Sequence, residues 1–76
     1  MTVEEDIRKT IGSKIRELRR LNGIRQEQLA EASGVSRRTI QALEAGTTSP
    51  RLDLLEKLAE AMEHTVSLIK KTNNEQ

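Results

Sequence analysis

The sequence predicts an all-α domain of four to five helices. Apolar residues recur at three- and four-residue spacing in stretches separated by glycine, serine and proline, the pattern of amphipathic helices with marked ends. Cysteine and aromatic residues are absent, so Leu, Ile, Val, Ala and Met must build the core without disulfide or thiolate metal support. At 76 residues the chain holds one small core.

The first helix is expected over about residues 4–21, where Ile7, Ile11, Ile15 and Leu18 recur at helical spacing and Leu21 continues the stripe. Its acidic start, Glu4, Glu5 and Asp6, and its basic end, Arg19 and Arg20, suit the helix dipole, and Asn22-Gly23 stops it. Gly12 lies inside the helix at a cost of about 1 kcal/mol relative to alanine. Residues 1–9 are therefore expected as a partly frayed extension, ahead of a domain spanning 10–63.

Residues 26–46 read as two short helices pinned at a glycine turn. Leu29 and Ala30 face a core, Gly34 supplies the left-handed residue that ends the first helix, and Val35 plugs the turn. Ser36 caps the second helix, whose Ile40 and Leu43 point back inside. This is a helix-turn-helix, a common device for placing a helix in the DNA major groove. With Ile40 and Leu43 buried, Arg37, Arg38 and Gln41 are left on the outward face near the helix N-terminus, where base edges are met in this docking geometry.

Gly46-Thr47-Thr48 then forms a loop, and Ser49-Pro50 reads as a cap followed by proline at the first helical position. Leu52, Leu55, Leu58, Ala59 and Met62 are the expected buried stripe of a fourth helix ending near residue 62. Thr65 to Ile69 is rich in β-branched residues and alternates polar with apolar, so residues 64–71 read as a short strand. A fifth short helix is the alternative, since Met62, Val66 and Ile69 also fit a helical stripe. A solitary strand must pair outside its own subunit, most simply with the same strand of a second copy across a two-fold axis. Val66, Leu68 and Ile69 are then the dimerisation residues. The polar tail, residues 72–76, is expected to be disordered.

The net charge is only +1, but it is unevenly spread. Residues 1–25 hold seven basic and four acidic side chains, residues 26–51 three of each, and residues 52–76 three basic against five acidic. A basic front and an acidic rear would orient the domain on DNA before any base is read. The absence of an aromatic stacking platform favours duplex DNA over RNA or single strands. Asp53, Glu56, Glu60 and Glu63 read as a solvated helix face. No apolar run approaches the roughly 18 residues of a membrane span, and Val3-Glu4-Glu5-Asp6 is acidic where a signal peptide is basic. A cytoplasmic protein is expected. His64 is the sole histidine and cannot build a metal cluster alone, and no Gly-rich phosphate loop or nucleophile elbow occurs. No enzyme activity, metal or cofactor is expected.

Residues from about 11 to 62 resemble the Cro and phage-repressor (XRE-type) helix-turn-helix regulators. The pattern is Gln26-x-x-Leu29-Ala30, Gly34-Val35-Ser36, Ile40-x-x-Leu43-Glu44-x-Gly46, then Pro50 and a leucine-rich fourth helix. The resemblance implies a repressor-like domain in which Gln26 bonds a DNA phosphate, Arg37, Arg38 and Gln41 read bases, and Ala42 touches a thymine methyl. It places Thr47 and Thr48 on backbone phosphate, with Ser36 and Thr39 at the same backbone. It also implies an architectural ion pair between Arg19 and Glu44. Arg25 departs from the family's Ser or Thr cap, a loss of order 1 kcal/mol, and could reach a phosphate instead. Glu63-His64 and the strand-like tail resemble antitoxins of the HipB type, which dimerise through C-terminal strands. The function expected is a sequence-specific double-stranded DNA-binding transcriptional regulator. It would be a repressor that binds a palindromic operator as a homodimer, with an antitoxin paired to a toxin or other protein partner as a variant. The alternative is a protein-interaction module built on the same fold.

Overall fold

The computed structural model describes the backbone of residues 2–73 and side chains as far as Glu63. Four helices follow one another: α1 (Val3–Leu21), α2 (Gln26–Ser33), α3 (Arg37–Ala45) and α4 (Leu52–Asn73). Helix α3 packs on α1 and α2, and α4 packs on α2. One core results, made of Ile15, Ile24, Leu29, Val35, Ile40, Leu43, Leu58, Ala61 and Met62. Among the described residues no helix is long and apolar enough to cross a membrane.

Helix α1 begins at Val3 behind a reciprocal cap that satisfies two otherwise orphaned N–H groups. The Glu5 N–H donates to Thr2 Oγ1 at 3.1 Å, and the Thr2 N–H donates to the Glu5 carboxylate at 2.8 Å. The buried face coincides with the predicted apolar stripe only in part: Ile15 is buried and Ile11 packs against the core. Gly12, Ile15 and Arg19 are buried, whereas Ile7, Leu18 and Leu21 are 49%, 44% and 74% exposed. The stripe is wider than the contact, and α3 approaches over its edge, along Gly12 and Arg19. A Cβ at Gly12 would overlap the Leu43 carbonyl oxygen and lie 3.0 Å from that of Glu44. The glycine that looks like a flaw in helix propensity is what lets two helix backbones touch.

The turn between α2 and α3 follows its sequence signals. Gly34 adopts φ 76° and its N–H donates to the Ala30 carbonyl at 2.9 Å, while Val35 is buried beneath the turn. Arg25 gives α2 no side-chain cap; instead Gln28 reaches back and accepts the Arg25 N–H at 2.8 Å.

Helix α4 differs from expectation in start, register and end. Its first turn closes from the Leu55 N–H to the Arg51 carbonyl at 3.0 Å, so Pro50 precedes the helix. Leu58, Ala61 and Met62 are buried, Leu54 and Leu55 pack partly against the core, and Leu52 and Ala59 are exposed. Small Ala61 therefore takes the inward place expected of Ala59. The strand expected over 64–71 is replaced by helix, because α4 runs without a break to Asn73. The physical reason is local: a helix satisfies its own N–H and C=O groups, whereas a lone strand requires a partner, and the Met62, Val66, Ile69 spacing suits a helix. Residues 72 and 73 belong to this helix rather than to the tail, and the expected disorder of 74–76 lies outside the described residues.

Candidate nucleic-acid interface

The N-terminus of α3 is built by one residue, Ser36. Its backbone is extended (φ −63°, ψ 148°), its Oγ accepts the Thr39 N–H at 3.1 Å, and its hydroxyl donates to Thr39 Oγ1 at 2.9 Å. That cap sets where the helix starts, and so which side chains point outward. Arg37, Arg38 and Gln41 are exposed, Ala42 is half-buried beside them, and Ala45 extends the same outward face. Ala45 carried no signal in the sequence beyond its place one turn past Gln41 and Ala42. The two adjacent arginines differ. Arg37 Nη1 lies 3.6 Å from the Glu27 carboxylate of α2, while Arg38 has no side-chain hydrogen bond or ion pair among the described residues.

Behind this face, three helices converge on Glu44. Arg19 of α1 donates to it twice, Nε at 2.7 Å and Nη2 at 2.9 Å, and a third guanidinium N–H reaches the Ile24 carbonyl at 2.9 Å. Gln26 of α2 donates to the same carboxylate at 3.1 Å, and Arg16 stands 3.8 Å away. Among the described residues no buried side-chain polar atom lacks a partner. Burial pushes the Glu44 carboxyl up, but the Arg19 and Gln26 hydrogen bonds and the charges of Arg19 and Arg16 outweigh it and hold the group below the usual glutamate value. Donating these bonds to Glu44 raises Arg19 above its ordinary value in turn. The structure thus brings Arg19 and Glu44 together as a fork-to-carboxylate pair.

In front of Glu44 lies an open cleft of about 440 Å³, rimmed by Arg16, Arg20, Arg25, Gln26 and Gln41. Gln26 is half-buried there, and Gln41 donates to its side-chain oxygen at 3.5 Å. Arg25 and Gln26, assigned to phosphate from the sequence, therefore share a basic depression with two arginines of α1 that the sequence reading missed. Their signal was present: Arg16 and Arg20 flank Arg19 at i−3 and i+1. Guanidinium forks here and on α3 can donate in pairs to phosphate oxygens or to a purine edge. At the far end of α3, Gly46 (φ 75°) closes the helix and the Thr47 N–H and hydroxyl both donate to the Ala42 carbonyl, at 3.0 and 3.2 Å. Thr48 is half-buried next to it. The side chains of Val66, Leu68 and Ile69 lie outside the described residues. Among those described, no group of His, Cys, Asp and Glu could hold a metal ion.

This architecture has relatives. The helix-turn-helix family model matches residues 15–67. The chain is 52% identical over 48 residues to an uncharacterised HTH-type transcriptional regulator of Methanothermobacter thermautotrophicus, which covers 63% of this chain and 70% of the relative. It is 49% identical over 47 residues to the cryptic phage CTXphi transcriptional repressor RstR of Vibrio cholerae, covering 62% of this chain but only 42% of that repressor. In structure it is similar to the restriction-modification controller protein C.AhdI from Aeromonas hydrophila, with a TM-score of 0.77, 32% identity, and coverage of 82% of this chain and 90% of that one. The match takes in the turn at Gly34, the capped α3 and the Arg19–Glu44 seam, and the chain belongs to the helix-turn-helix family of the Cro and phage-repressor (XRE) type.

Proposed function

We propose that the protein is a sequence-specific double-stranded DNA-binding transcriptional regulator, a repressor that occupies a palindromic operator as a homodimer. The observation that carries this reading is the outward face of α3: Arg37, Arg38 and Gln41 are exposed on a helix whose inward side is locked by Glu44 and by backbone contact at Gly12. Arg37, Arg38 and Gln41 read base edges in the major groove, with Ala42 against a thymine methyl. Arg25, Gln26, Thr47 and Thr48 hold the phosphate backbone on either side, supported by Ser36 and Thr39 at the α3 start. The homodimer forms through the part of α4 beyond Met62, which carries Val66, Leu68 and Ile69, and sets two recognition helices about one DNA turn, roughly 34 Å, apart. The protein works in the cytoplasm as a binder rather than an enzyme, without cofactor. No observation favours a toxin partner, because the strand on which the antitoxin likeness leaned is helix.

Selection of bound sequences from a random duplex library, with the winner retested across a salt series, tests this. An enriched palindrome whose affinity falls with a log-log slope near −0.9 per neutralised phosphate is the expected result. No enrichment would shift the function to protein binding. The exposed Val3, Ile7, Leu18 and Leu21 of α1 would then be the surface to examine first.

A further inference from the structure

Arg37 and Arg38 are neighbours in sequence, yet of the two only Arg37 has an ion-pair partner among the described residues. Glu27, the second residue of α2, meets Arg37, the first residue of α3, across the turn at 3.6 Å, with both side chains about half exposed at 57% and 53%. The surrounding rim is cationic, with Arg16, Arg20 and Arg25 lining the cleft that Glu27 also borders. An exposed carboxylate on such a rim repels phosphate and weakens the binding of any duplex, whatever its sequence. A contact that only the right sequence completes would offset that loss. A guanidinium is planar and has two usable edges; with one edge on a carboxylate, the other still offers two parallel N–H groups matched to O6 and N7 of guanine.

We propose that Glu27 is a specificity-determining positioning residue, which holds one edge of Arg37 so that the other edge meets a guanine and is kept from wandering to phosphate. This rests on the DNA-binding reading above. A purely local role for Glu27 exists as well. Its carboxyl is held below the ordinary glutamate value first by its own backbone N–H in the first turn of α2 and then by Arg37. The experiment must therefore read base preference rather than folding.

The full chain and its Glu27→Gln variant are each taken through random-duplex selection, then titrated with the wild-type winner and with a scrambled duplex. The variant is expected to bind the scrambled duplex about threefold more tightly, having lost one charge facing phosphate. It should lose the guanine preference at one position of each half-site while the other positions stay as they were, so that the specific-to-scrambled ratio narrows about tenfold. In an Arg37→Ala background the same change should leave the ratio where it is, since nothing remains to be positioned. An unchanged base profile, with both duplexes shifted by one common factor, overturns the proposal and leaves Glu27 as a source of general repulsion. Failure of the wild type to select any sequence overturns the DNA-binding reading itself, and so the two failures are distinguishable.

Discussion

Two carboxylates of this domain each meet an arginine from another helix, and they do so in opposite surroundings. Glu44 lies under α3 with 2% of its side chain exposed and takes a two-pronged bond from Arg19. Glu27 lies on the rim with 57% of its side chain exposed and meets Arg37 at a single contact of 3.6 Å. In the buried seam neither partner can be removed cheaply, because the one left behind is an uncompensated charge. On the rim, water takes the place of either partner at little cost. The same chemical pair thus supports the fold in one place and contributes little to its stability in the other.

The largest effect that would break the comparison comes from Glu44→Ala, which should cost about 3–5 kcal/mol in a denaturant melt by stranding Arg19. A loss no greater than that of Glu27→Ala would show the seam to be as dispensable as the rim. Gly12→Ala should cost on the order of 3 kcal/mol, because α1 and α3 must part to admit the methyl group. Helix propensity alone forecasts the opposite sign, a gain of about 1 kcal/mol, so a thermal melt decides between packing and propensity. On the outward face of α3, Arg38→Ala should leave the melt unchanged and lower affinity for the selected duplex by about 1–3 kcal/mol with little loss on scrambled DNA. An equal loss on both would make Arg38 a phosphate contact. Ser36→Ala should cost about 1 kcal/mol of stability through the lost cap of α3.

Acid sharpens the contrast further. Glu44 is held below its unfolded value, so the stability it contributes is present above the unfolded carboxyl range and is lost as pH falls through the lower folded value. Melts taken from pH 6 downward should therefore steepen in their decline below about pH 4 for the wild type. Glu44→Gln should remove that part of the slope. A variant with the full wild-type decline would place the acid sensitivity elsewhere.

Much of this was legible in the chain itself, for identifiable reasons. Gly34, Ser36, Ile40 and Leu43 act within a few residues of one another, and local turn and cap chemistry fixes which way α3 faces. The Arg19 and Glu44 contact was legible only through family resemblance, since nothing local relates residues so far apart. The role of Gly12 was not legible, because a close approach is a property of the partner helix. The same holds for α1, where more apolar residues are present than the contact uses, and the sequence pattern cannot say which edge α3 will cover. The end of helix α4 is ambiguous in the sequence because Val66 and Leu68 fit a two-residue period while Met62, Val66 and Ile69 fit a helical one, and the choice depends on whether a pairing edge exists.

The convergence on Glu44 has a consequence for how such a protein can change. The groups that hold α3 in place, Glu44, Ile40, Leu43 and the backbone facing Gly12, lie on its inward side. Arg38 and Ala45 point the other way and support none of them. The helix therefore behaves as a mounted faceplate, whose lettering can be re-cut without loosening the screws. On the DNA-binding reading proposed above, new operators are reachable by substitutions on this face that leave the fold's stability untouched.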